Sequence, residues 1–229
     1  MEIVAEIGKV KVLPWEPMLL MPLGDIQYSG KGGPCDMRKL EQYVKWAVDK
    51  GCYFIGMGDY IDFMSPSNRS RLRGAALYDT AEDVIDASAT RLEDDLLDIL
   101  LPTRGRWIGL LEGHHYYEHE SGMTSDQRIA AALDAPFLGT CAAARLTFRN
   151  GSGGGTNIKL WAHHGQGGGM ATPTAALLKL QRIAADYPGV RLFIMGHYHQ
   201  LATLAKDSLD ITDKGSPMLV HESRHFVLT

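Results

Sequence analysis

PMLLMPLGD, residues 17–25, and CYFIGMGD, residues 52–59, are two short apolar runs that each stop at Gly-Asp. Prolines bound the first run, which reads as a buried strand. Between the two, residues 36–50 place Leu40, Tyr43, Val44, Ala47 and Val48 at helical spacing, and Gly51 follows where a C-terminal glycine belongs. Strand, helix and strand in succession make a βαβ unit, which favours parallel pairing. Parallel sheets bind ligands beyond the carboxyl ends of their strands. Asp25 and Asp59 therefore stand where a site would be built.

Outward from this unit, the same arrangement recurs. Residues 107–111 form an apolar strand ending in Glu112-Gly113-His114-His115; residues 157–162 end in His163-His164-Gly165; residues 190–195 end in Gly196-His197-Tyr198-His199. Thr80, with Asp83 three residues on, is expected to cap a helix to about Leu100, with Val84, Ile85, Ala87, Leu92, Leu96, Ile99 and Leu100 as its apolar stripe. Thr124 and Gln127 form a second capping box, for a helix to about Leu133. Pro173 opens a helix to about Tyr187. Residues 144–148 and 157–162 read as a hairpin around the glycine-rich turn 151–155, and residues 218–229 as a last strand. Residues 64–75 are polar and basic without periodicity, hence a loop. No repeat or linker divides the chain, so one domain over 1–229 is expected, with a helical insertion around 64–103.

Composition narrows the class. The chain has 229 residues, 45% apolar and 22% charged, as in ordinary soluble proteins. No apolar run approaches a membrane span, and the first residues, MEIVAEIGKVKV, lack a signal-peptide core. A cytoplasmic protein without membrane partners is the expectation. A net charge of −4 argues against binding nucleic acid by electrostatics alone, although bound cations would reverse the sign locally. Cys35, Cys52 and Cys141 are odd in number and widely spaced, so reduced thiols are expected, Cys52 and Cys141 packed as small hydrophobes.

Each motif alone has a plain structural reading. A strand-end Asp is commonly a turn former or helix cap, and a lone His-x-His is commonly a solvated turn. Together they mean more. Two carboxylates on sequential parallel strands come close, and their repulsion is relieved by cations or protonation. Imidazoles suit zinc, iron, manganese and nickel. A carboxylate bridging two ions roughly 3.5–4 Å apart is the arrangement that clamps both oxygens of phosphoryl transfer.

The ordered series resembles the calcineurin-like metallophosphoesterase superfamily, whose pattern runs D-x-H, G-D-x-x-D, G-N-H-D/E, a strand-end His and G-H-x-H. The match runs from Asp25 to His199, nearly the whole chain. The resemblance implies an α/β fold, a four-layer α/β/β/α sandwich of two mixed sheets. It implies two divalent metal ions, manganese first, with iron, zinc or nickel as alternatives. Asp25, Gln27 and His199 would hold the first ion and Asp59 would bridge. His114, His197 and either His163 or His164 would hold the second. His115 would be the catalytic general acid or a donor to the leaving oxygen, with Asp62 orienting ligands. A metal-bound hydroxide would attack phosphorus in line, making the protein a phosphodiesterase or phosphatase. The alternatives are a nuclease, with nucleic acid as substrate only, and a non-catalytic scaffold whose metal site has decayed.

Three positions depart from the family pattern. Gln27 replaces His, so it offers an amide or does not ligate. His114 replaces Asn, giving a stronger nitrogen ligand. Tyr116 replaces the acid that partners the catalytic His, leaving Glu112 or Glu118 to supply one. Residues 165–169 (GQGGG) either let backbone N–H groups approach a phosphate or form a turn. Arg69, Arg71 and Arg73 either reach substrate phosphates or are solvated. Tyr60, Phe63, Tyr116 and Tyr117 either stack a ring or pack. His119, His221 and His225 lack a motif and are expected to be ordinary histidines.

Overall fold

The pairing expected of residues 17–59 is present in a computed structural model, which describes residues 11–14, 17–75, 77–149, 152–168, 172–212 and 215–229. In chain order, β1 (Lys11–Pro14) precedes β2 (Leu20–Leu23), α1 (Met37–Asp49) and β3 (Tyr53–Gly56). Then come α2 (Pro66–Arg73), α3 (Asp79–Leu100), a short 3₁₀ turn at Leu101–Thr103, β4 (Trp107–Leu110) and α4 (Ser125–Ala132). The rest is β5 (Cys141–Arg149), β6 (Gly155–His163), α5 (Pro173–Ala184), β7 (Leu192–Met195), β8 (Ala202–Ile211) and β9 (Leu219–Leu228). The protein is α/β, with a three-stranded and a six-stranded sheet. Among the described residues no helix is long and apolar enough to cross a membrane.

Two compact units divide these elements: residues 17–141, and residues 1–16 with 142–229. In the first, β2, β3 and β4 pair in that order, parallel throughout. Two mixed sheets were expected. This one is purely parallel because each of its strands is joined to the next by helices rather than by a tight turn. Asp36 caps α1, its carboxylate accepting the Lys39 N–H at 3.1 Å, and Gly51 ends it at φ +69°. Leu40, Val44 and Ala47 are buried, while Tyr43 from the expected stripe is half exposed. Phe54 of β3 and Trp107 of β4 stack at 5.0 Å in the centre of the core. Phe54→Ala is expected to cost about 3–5 kcal/mol of stability, read from the shift in urea midpoint.

Residues 64–75 are not a loop; α2 occupies 66–73. Ser65 caps it by accepting the Asn68 N–H, and Pro66 suits the first turn. No α2 residue is buried, so it carries no apolar stripe for a periodicity argument to find. The capping box at Thr80 is also overturned. Helix α3 starts one residue earlier, at Asp79, with Tyr78 at the cap position and no side-chain cap bond. Its buried set is Ala89, Glu93, Leu96 and Leu100, with Val84 left exposed. The Thr124–Gln127 capping box forms with both reciprocal bonds.

In the second unit the strand order is β1-β5-β6-β7-β9-β8. The β1–β5, β6–β7 and β7–β9 pairs are parallel and β8–β9 is antiparallel, so this sheet is mixed. The tail forms β9 as expected, and Phe193 stacks on Phe226 at 5.4 Å. Strands β1 and β8 were not anticipated. Strand β8 is exposed along most of its length, so its sequence has no buried alternation to betray it. The start of the turn expected at 151–155 lies partly outside the described residues. All three cysteines are free; Cys52 is buried, but Cys141 is only half-buried, less than expected.

Candidate metal centre

In the unit formed by residues 17–141, the ends of β2 and β3 extend their parallel ladder into the turns beyond. The Asp25 N–H donates to the Gly58 carbonyl and the Gln27 N–H to the Asp59 carbonyl, both at 2.9 Å. This register aligns the two Gly-Asp motifs. The third motif closes on them at Gly113, where any Cβ would collide with the Asp59 backbone and carboxylate. Only glycine permits that approach. It lets Asp59 Oδ1 accept the N–H groups of both His114 and His115, the latter at 3.0 Å. Asp59 is buried.

His115 has a carboxylate after all. Its Nδ1 lies 2.6 Å from Asp62 Oδ1. Glu118 instead pairs with Arg73, and Glu112 is a half-buried carboxyl whose pKa burial raises. The aromatic side chains divide. Tyr60 is fully buried and donates to the Leu111 carbonyl at 2.9 Å. Phe63 packs edge-on against buried Tyr117, so these three are packing residues. Tyr116 lies under the Arg69 guanidinium at 3.8 Å, which removes Arg69 from the expected exposed basic set.

In the other unit, the two adjacent histidines are held differently. His163 Nδ1 accepts the Gly165 N–H at 2.7 Å, and its ring stacks on Trp161. His164 is buried and meets the ring of His197 edge-on at 5.3 Å. His197 Nε2 donates to the Gly167 carbonyl at 2.9 Å, which leaves Nδ1 to carry the lone pair. A second set of bonds holds the same loop. Tyr198 Oη donates to the Gln166 carbonyl at 2.8 Å, and Lys179 Nζ of α5 donates to both.

Backbone strain follows the motifs. Among the described residues six non-glycine positions have positive φ. Five of them are Asp25 (+50°), Gln27 (+49°), Asp59 (+53°), His197 (+74°) and His199 (+51°), all positions expected to ligate. Each such residue costs about 1–3 kcal/mol, and strain of this kind gathers at functional sites.

Among the described residues, Asp59, His114, His164 and His197 are a His/Asp group that could hold a metal ion. The donor set fits one. Three imidazoles and a carboxylate suit zinc, manganese, iron or nickel and not calcium. Asp25, His163 and His199 stand outside this group.

Two features of this region had no sequence signal strong enough to single them out. Asp126, inside α4, is fully buried, and its carboxylate accepts the Gly113 N–H at 2.8 Å. Burial pushes its pKa up to about 7. A carboxyl raised in the fold favours the folded state fully below its ordinary value of 3.8, and that contribution is lost as pH rises through about 7. Metal-free wild type is therefore expected to lose stability relative to Asp126→Asn as pH rises through that window, measured by urea titration at several pH values. A constant difference would contradict it. The second feature is His119, expected to be ordinary. It is buried, with Nδ1 at 2.8 Å from Asp86 and Nε2 at 2.6 Å from Glu93, which also pairs with Arg128 at 2.9 Å. The network ties α3 to the segment following His115 and to α4.

Compared with models of known protein families and with curated protein sequences, the chain matches none.

Proposed function

We propose that the protein is a metal-dependent phosphoric ester hydrolase acting on a phosphodiester or a small phosphomonoester. The observation that carries this reading is the donor set Asp59, His114, His164 and His197, drawn from four separate strand-end motifs in the order of the calcineurin-like pattern. In this reading those four would hold one divalent ion, and Asp25, Gln27 and His199 would hold a second together with Asp59. The architecture that goes with it is the four-layer α/β/β/α sandwich of that superfamily. Bound divalent ions supply Lewis acidity at the phosphoryl oxygens and lower the pKa of water.

The chain's own residues account for the rest. Asp59 presents a carboxylate whose position is fixed by two backbone N–H groups. The Gly167 carbonyl fixes the tautomer of His197 and leaves Nδ1 as the atom that would ligate an ion. Asp62 accepts from His115 Nδ1, which orients that ring and stabilises its imidazolium form, whose Nε2–H would pass a proton to the departing oxygen. Tyr116 does not weaken this pair, because Asp62 replaces the missing acid.

The substrate class is tested with chelator-stripped protein reloaded with Mn²⁺. A phosphodiester, a phosphomonoester, a cyclic nucleotide and single-stranded DNA are offered in turn. Turnover of a small diester or monoester is expected. Preference for DNA would redirect the reading to a nuclease, and failure on all four with every divalent ion would end it.

A further inference from the structure

Helix α2 carries one residue, Arg69, whose guanidinium reaches back to the turn at His114–Tyr116. Arg69 lies one turn beyond the Ser65 cap, on the only partly buried face of a helix that is otherwise exposed. Its Nη1 lies 2.7 Å from the Met64 carbonyl, 2.6 Å from that of His114 and 3.0 Å from that of Tyr116. Two N–H bonds serve three acceptors, so one is shared. The guanidinium plane is also stacked on the Tyr116 ring. The intervening carbonyl, of His115, accepts from the Phe63 and Met64 N–H groups at 3.3 Å. Three consecutive carbonyls are thus held by residues 63–69, while the N–H groups of His114 and His115 go to Asp59 on the other side.

We infer that Arg69 is a positioning residue: it fixes the backbone of the turn so that His114 keeps its aim as a ligand and His115 its bond to Asp62. This rests on the proposed function for what the turn does. The guanidinium is engaged with backbone carbonyls and an aromatic face, a role that needs a planar, permanently charged group with several donors. A lysine at the same place reaches a carbonyl with its ammonium but cannot stack as a plane. The bonds explain why a helix without buried residues is present at all: its contribution is to the turn.

The test measures Mn²⁺ affinity by calorimetry and amide exchange at residues 114–116, in wild type, Arg69→Ala, Arg69→Lys, Arg71→Ala and Arg73→Ala. Removing a group that orients a ligand typically weakens metal binding about 10–100-fold. Arg69→Ala is expected to show that loss and faster exchange of the His114 and His115 amides, with Arg69→Lys recovering part of both. Arg71 is exposed and is expected to behave as wild type when replaced. Arg73 pairs with Glu118 and so ties α2 to the same segment without touching the turn. Equal losses in Arg73→Ala and Arg69→Ala would reduce the effect to helix anchoring and overturn the inference. So would wild-type exchange in Arg69→Ala. Wild type that binds no Mn²⁺ would sink the metal reading instead, and the exchange rates, which need no metal, still decide the role of Arg69.

Discussion

Asp59→Asn is expected to abolish stable Mn²⁺ binding and to lower phosphodiester turnover by about 10³-fold or more. The carboxylate is the one anionic ligand in the Asp59, His114, His164 and His197 group. Losing several kcal/mol of charge stabilisation at the phosphoryl group corresponds to that factor, at tenfold per 1.36 kcal/mol. Asparagine keeps an oxygen where Oδ1 accepts the His114 and His115 N–H groups, so the fold is retained. Alanine removes that acceptor and adds a stability loss of about 1–3 kcal/mol for each of the two N–H groups left unpaired. The comparison separates charge from architecture. Asp59→Asn with turnover within tenfold of wild type would show that Asp59 is a turn former and not a ligand.

His115→Ala is expected to lower turnover by about 10²–10⁴-fold, the usual worth of a positioned general acid, while leaving Mn²⁺ affinity as in wild type. The leaving group provides the finer reading. A p-nitrophenolate departs without a proton, whereas an alkoxide needs one. The loss should therefore be small on p-nitrophenyl esters and near its full size on an alkyl ester. Asp62→Asn should show the same dependence at smaller amplitude, because it disturbs the ring's orientation through Nδ1 and leaves Nε2 in place. An equal loss on both kinds of ester would assign His115 to substrate binding instead.

What was legible in the sequence was whatever local chemistry encodes. The apolar runs that become β3, β4 and β7 are buried along nearly their whole length, so each reads as an unbroken hydrophobic stretch. The Thr124 box and the Gly51 cap are bonds within a single turn of chain. The Gly-Asp and Gly-His motifs were visible because close backbone approach and left-handed turns demand particular residues at adjacent positions.

The parts that escaped are long-range or exposed. Asp62 and His115 are 53 residues apart, so their contact is made by the fold and no local spacing in the chain announces it. His163 and His164 differ in ring direction, which follows from the Trp161 stack and the Gly165 N–H, not from their order in the chain. Glu93 sits in an acidic stretch of α3 that reads as solvated, yet it is fully buried against His119 and Arg128. Helix α2 and strand β8 bury too little for a periodicity to mark them.

Hydrolysis of bis(p-nitrophenyl) phosphate by chelator-stripped protein, titrated with Mn²⁺, tests the central claim most directly. The account predicts no turnover in the stripped protein, then activity that rises with added ion and saturates at two equivalents per chain. Full activity without metal, or none with any divalent ion, would contradict it.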